Sequence, residues 1–220
     1  MEDFDQALIY MNEGKYEEAA KEFIEYINAN ETDPIGYLNF GNLLVLLEQY
    51  EEAERIFRKA IELDSELATG YYSLGNLFYE QEMYRAAQTQ FQEAILLGLD
   101  DADVHFLQGM SLWQEDHHTL ALPYLLRATE LEPDDLDIKF QYGLLLAQLE
   151  QLEEAEEIFK LILNVDESHA DALYNLGVID AFEENYQEAL NKFNKALESE
   201  PEHFLAANGK KNMEALLTEE

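Results

Sequence analysis

The chain has 220 residues, 47% of them apolar and 12% aromatic, and its 48 acidic against 13 basic side chains give a formal net charge of -35. A field of that sign repels nucleic acid and anionic membrane surfaces and favours encounters with basic partners, so no binding to DNA, RNA or lipid is expected. With no cysteine there is no disulfide framework and no thiolate metal site, and no stretch approaches the ~20 apolar residues of a membrane span.

Only ten glycines and four prolines punctuate the sequence, which predicts a nearly continuous helical chain. In chain order, paired helices are predicted near 2–13 and 16–28, 34–47 and 50–63, 68–81 and 84–97, 102–115 and 118–131, 136–149 and 152–165, and 170–183 and 186–199, with a last helix over about 204–217. Gly41, Gly75, Gly109, Gly143 and Gly177 fall 34 residues apart, and Ala53, Ala87, Ala121, Ala155 and Ala189 follow twelve positions later. Ala19 extends the series one period back, where Ala7 takes the place of the glycine. Four positions after each alanine stands a large residue: Phe23, Phe57, Phe91, Leu125, Phe159 and Phe193. Glycine inside a helix costs roughly 1 kcal/mol relative to alanine, so its recurrence predicts close helix approach, with small and large positions forming one interlock.

Local signals refine the boundaries. Asp33, Asp101 and Asp135 precede first helices of pairs and are expected to cap them. Glu17-Glu18, Glu51-Glu52 and Glu153-Glu154 open second helices, where acids complement the macrodipole. Pro123 lies inside the second helix of its pair and removes a backbone donor, and local mobility or a shifted groove angle around Trp113 is expected from it. Glu115, Asp116, His117 and His118 are read as a solvated turn rather than a metal site. The last helix has Lys211 at the glycine position, flanked by Lys210 and Asn212, and is expected to be a polar cap.

The period and its signature residues resemble the tetratricopeptide repeat (TPR) family. Residues 34–67 supply Tyr37, Phe40, Gly41, Leu44, Tyr50, Ala53, Phe57 and Ala60, and residues 68–101 supply Tyr71, Leu74, Gly75, Phe78, Tyr84, Ala87, Phe91 and Ala94. Pro133 and Pro201 take the closing proline position. Ser65, Leu99 and Glu167 replace that proline, Ile162 replaces an alanine, and His105 and Lys139 stand where the first aromatic is expected. The resemblance implies an all-α fold, a right-handed superhelical solenoid of helix pairs. It would form a single domain over 1–220, with repeats at about 1–33, 34–67, 68–101, 102–135, 136–169 and 170–203 and a capping helix at about 204–217.

The resemblance also implies a peptide-binding groove lined by repeat positions 2, 5, 6, 9, 12 and 13. Position 5 reads Phe4, Leu38, Tyr72, Phe106, Phe140 and Tyr174, position 12 reads Met11, Val45, Tyr79, Trp113, Ala147 and Ala181, and Met110 stands at position 9 of its own repeat. Each aromatic has two readings, exposure in the groove or packing between repeats; Trp113, the only tryptophan, suits a binding hot spot. Asn42 and Asn76 occupy position 9, where peptide-binding members commonly carry an asparagine, and an amide both donates to and accepts from a peptide backbone. Asp103, Asp137 and Asp171 recur at position 2 and form an acidic edge, either as first-turn acids or as partners for a ligand's Lys or Arg. Lysine and arginine are nearly absent from these positions, which argues against the carboxylate clamp of chaperone-binding members.

Catalytic motifs are missing, and no enzyme activity, cofactor or metal is expected. The leading expectation is a non-enzymatic adaptor that binds an apolar or basic peptide of another protein. A self-associating scaffold, hence a homo-oligomer, is the alternative, and an acidic decoy for a basic protein surface the third reading. The acidic start, Met1 to Asp5, lacks the basic and apolar regions of a signal peptide, and a cytoplasmic location is expected.

Overall fold

The structure, a computed structural model, describes residues 2–219. Among them thirteen helices follow one another: α1 (Glu2–Asn12), α2 (Tyr16–Ala29), α3 (Pro34–Leu46), α4 (Tyr50–Leu63), α5 (Ala68–Glu80), α6 (Tyr84–Leu96), α7 (Ala102–Gln114), α8 (His118–Leu131), α9 (Leu136–Gln148), α10 (Leu152–Val165), α11 (Ala170–Phe182), α12 (Tyr186–Ser199) and α13 (Phe204–Glu219). This is an all-α solenoid of helix pairs, six repeats and a closing helix, with every predicted helix in place. Contacts group the chain into two compact units, residues 1–124 and 125–220, divided inside α8.

In the first unit each helix from α1 to α7 packs on the next, and first helices touch across repeats, α3 on α5 and α5 on α7. Its core strings Phe57 and Ala60 of α4, Leu74, Leu77 and Phe78 of α5, and Phe91 and Ala94 of α6 into one cluster. Ala7, Ala19, Phe23 and Leu43 form a second cluster at its N-terminal end. In the second unit Leu173, Ala189, Phe193, Ala196, Ala206 and Met213 bind α11, α12 and α13 together.

The glycine and phenylalanine positions interlock as their spacing predicts. A Cβ built on Gly75 would stand 2.7 Å from the Phe91 ring, one on Gly143 2.9 Å from Phe159 and one on Gly177 2.7 Å from Phe193, while Gly41 meets Phe57 in the same way. These rings are buried, so the glycine is what lets first and second helices approach. The last ring is held twice, because Gly209 of α13 would place a Cβ 2.8 Å from Phe193.

The turn inside each pair is also repeated. Glu48, Glu82, Asp116, Glu150 and Glu184 all have positive φ, between 56° and 65°, and Gly14 (72°) stands at the same place in the first repeat. Each is followed by a residue whose N–H reaches five back, for example Gln49 to the Leu44 carbonyl (2.9 Å) and Met83 to Phe78 (2.8 Å). This is the Schellman closure of a helix, usually given to glycine, here given to acids in five repeats.

The predicted caps are present. Asp33 accepts from the Ile35 N–H (3.1 Å), Asp101 from Val104 (3.0 Å) and Asp135 from Ile138 (2.9 Å). Two histidines join them unannounced: His169 Nδ1 accepts from the Ala172 N–H (3.3 Å) and His203 Nδ1 from Ala206 (3.1 Å). Lys139 proves an apt replacement for its aromatic. Tyr37 and Tyr71 donate their hydroxyls to the carbonyls of Glu31 (3.2 Å) and Ser65 (3.3 Å), and the Lys139 ammonium donates to the equivalent carbonyl of Pro133.

As expected, Pro123 lies inside its helix, in the second turn of α8, past the N-terminal donors that lack intrahelical partners, so the helix loses a bond there. Two local expectations are corrected. His118 is half-buried, with its ring edge-on to Trp113 at 6.5 Å, rather than solvated. The last helix is not simply a polar cap: α13 buries Ala206 and Met213 but leaves Phe204 73% and Leu205 53% exposed.

Candidate functional site

In the first unit, α3, α5 and α7 carry the residues of the expected positions. Tyr72, Tyr79, Phe106, Met110 and Trp113 are all half-buried, so neither extreme reading of these side chains applies. One surface of each tyrosine rests on the core or its neighbour, Tyr72 against Phe91 (6.1 Å between centroids) and Tyr79 edge-on to Tyr84 (5.5 Å). The other surface is left to solvent, an arrangement suited to apolar contact without a large exposed patch.

Asn42, Tyr72 and Asn76, chosen from sequence position alone, come together in one pocket of about 200 Å³ between α3 and α5. Val45, Ser73 and Glu80 complete its walls, with Phe57 and Leu77 beneath. The Asn76 side chain hydrogen-bonds the Tyr72 hydroxyl, whose proton is held above the ordinary phenol range by burial and by the nearby Asp103 and Asp101 carboxylates. Burial pushes Tyr79 in the same direction.

Cations on the adjoining second helix are already matched. On α4, Arg58 pairs with Glu54 (2.8 Å), Lys59 with Glu62 (3.1 Å), and Arg55 with Glu52. None of these pairs reaches the pocket between α3 and α5, whose one charged lining residue is Glu80. Exposed pairs of this kind add little stability, a few tenths to about 1 kcal/mol.

In the second unit, Phe140 packs on Phe159 (5.8 Å) and His169 (5.3 Å), and Tyr174 on Phe193 (5.8 Å) and His203 (5.2 Å), both half-buried. Val178 and Phe182 lie beyond them on α11, and Phe182 is 75% exposed. Asp103, Asp137 and Asp171 are all exposed in their units. Asp171 accepts from His203 Nε2 at 3.1 Å, a contact that ties α11 to the cap of α13. Because His203 Nδ1 accepts the Ala206 N–H, its proton sits on Nε2.

Sequence reasoning places Ser73 on the same face as Asn42 and Asn76 but missed Glu80 as a member of the pocket. Both stand at groove positions, and the acid at position 13 has no counterpart in the other repeats, which read Asn12, Leu46, Gln114, Gln148 and Phe182. That contrast was the available signal. Among the described residues no group of three or more His, Asp or Glu is arranged to hold a metal ion, and no helix is long and apolar enough to cross a membrane.

Family models described as TPR repeat or tetratricopeptide repeat match residues 4–33, 41–82, 72–128, 106–167 and 170–203. No curated protein matches the chain in sequence. Among solved structures, the chain is 41% identical to YrrB, described as a TPR protein with an unusual peptide-binding site, with a TM-score of 0.83 over 87% of this chain and 99% of that one. MamA from Desulfovibrio magneticus RS-1 matches at 19% identity and a TM-score of 0.67, over 75% of this chain and 93% of that one. The C-terminal part of a TPR repeat-containing protein from Cytophaga hutchinsonii matches at 17% and 0.77, over 94% and 86%. At such identities the last two bear on the fold alone.

Proposed function

Because the chain belongs to the tetratricopeptide repeat family, we propose that it is a protein-interaction module without catalytic activity, holding an apolar or basic peptide segment of another protein against its first helices. The observation that carries this reading is the convergence of Asn42, Tyr72 and Asn76 on one pocket, beside the half-buried Tyr79, Met110 and Trp113. Amides there pair with a peptide backbone whatever its sequence, and the aromatics supply contact area at low conformational cost. The likeness to YrrB, a protein described as having a peptide-binding site, supports the same reading. In the second unit Phe140 and Tyr174, with Asp137 and Asp171 at the edge, are the corresponding residues.

The test is a pulldown with the wild-type chain and with the Tyr72→Ala/Trp113→Ala double variant, both checked for intact helix by circular dichroism. A partner retained by wild type and lost by the folded variant is the expected result. Equal capture by both places the contact elsewhere and overturns the reading.

Self-association is the second reading, favoured by the exposed Phe182, Phe204 and Leu205 of the second unit. It calls for a dimer that grows with concentration in light scattering and is abolished by Phe204→Ser/Leu205→Ser; a monomer at all concentrations removes it.

A further inference from the structure

The pocket between α3 and α5 differs in electrostatic balance from two other clefts of the chain. The cleft at α10–α12 carries Lys195 beside Glu167 and Glu198, and the one along α4 carries Arg55, Arg58 and Lys59 beside Glu62. Both hold cations of their own. The pocket between α3 and α5 has Glu80 as its one charged lining residue. Glu80 makes no hydrogen bond or ion pair within the described residues, and neither do the side chains of Asn42 and Ser73.

Two further sources of negative potential converge there. Val45 lies in the last turn of α3, and Leu77 and Glu80 in the last turn of α5, so the C-terminal turns of both helices border the pocket. Each such terminus is equivalent to roughly half a negative charge and favours a cation. Burial and, beside it, Asp103 in the first turn of α7 and Asp101 at its cap raise the affinity of the Tyr72 hydroxyl at the pocket wall for its proton, the direction a negative field gives. Asn42 and Ser73 add neutral acceptors, and the Tyr72 ring adds an aromatic surface.

We propose that this pocket takes a positively charged side chain, arginine or lysine, from the bound peptide, with Glu80 as its counter-ion and Asn42 and Ser73 as supporting acceptors. The inference rests on the peptide-binding reading above and narrows it: the ligand is basic at one position, and that position meets the second and third repeats. The five position-9 residues from the second repeat onward show the division, since Asn42 and Asn76 give way to Met110, Leu144 and Val178. The cation is therefore read at the amide-bearing repeats.

A phage library of random dodecapeptides panned on the full-length chain tests this, in parallel with Glu80→Gln, an exposed substitution whose fold is checked by circular dichroism. The expected outcome is enriched peptides that share one Arg or Lys. Replacing that residue by Gln in the synthetic peptide then weakens binding to wild type by about tenfold or more, the loss of one charge-assisted hydrogen bond. Glu80→Gln no longer distinguishes the two peptides. Enriched peptides without a shared basic position, or discrimination that survives in Glu80→Gln, overturn the inference and leave the peptide-binding reading standing. A library that yields no binder removes both.

Discussion

At Gly75 helix propensity and packing pull in opposite directions. Alanine would gain about 1 kcal/mol of propensity, yet its Cβ would stand 2.7 Å from the buried Phe91 ring, which has no free space to retreat into. Overpacking of this kind costs about 1–3 kcal/mol, so Gly75→Ala is expected to lower stability in chemical denaturation, and an unchanged or raised midpoint would sink the interlock account. Restoring space with Phe91→Leu in the same chain should recover part of the loss, because the two residues share one volume. The glycine and its ring were legible because both recur at fixed spacing. The left-handed acids were not, since Glu is no turn former; only Gly14, aligned one period before Glu48, hinted that its successors share its backbone. An L-residue there carries strain that glycine does not.

Among the elements, α7 departs furthest from its equivalents. His105, Gln108 and Ser111 stand where the third repeat has Tyr71, Leu74 and Leu77, and all three are buried on one face. His105 Nε2 meets Asp100 at 2.7 Å, but His105 Nδ1, Gln108 Oε1 and Ser111 Oγ have no partner. A buried unsatisfied polar group costs about 1–3 kcal/mol. Ser111→Ala, which deletes the hydroxyl with little change of volume, should therefore raise the free energy of unfolding by about 1 kcal/mol and slow amide exchange in α7; faster exchange would show that the hydroxyl has a partner. The helix is tied to α6 by Gln88 Nε2 donating to the Ser111 carbonyl (2.8 Å), while Tyr124 of α8, which donates to Gln92 of α6 (3.0 Å), stacks on His105. The period located this helix, and the family resemblance implied its groove positions, whereas the pocket at α3 and α5 joins side chains some 30 residues apart, including Glu80, which reads singly as one more acid. The histidine caps escaped notice for a related reason, as His rarely serves where Ser, Asp or Asn are favoured.

Across the whole molecule four half-buried phenols bear on the response to alkali. Tyr72, Tyr79 and Tyr142 are raised chiefly by burial and Tyr26 chiefly by its hydrogen bond to Asp33 (2.5 Å). In all four the folded chain holds the proton more tightly than the unfolded one. Their contribution is thus complete below about pH 10, the unperturbed phenol value, and is lost as pH rises through the folded values. The denaturation midpoint should fall above about pH 10, with native phenolate absorbance rising later than that of the urea-unfolded chain; coincident titrations would contradict this. The two glycines that grip Phe193 have a different consequence. Gly177 belongs to the ring's own repeat and Gly209 to the helix after it, so the unit that seals this ring straddles the period by which the sequence is counted. A gene cut at residue 203, the apparent end of the sixth repeat, would strip one wall from that ring, whereas segments exchanged between such arrays should be joined within a first helix's loop and carry the following helix with them.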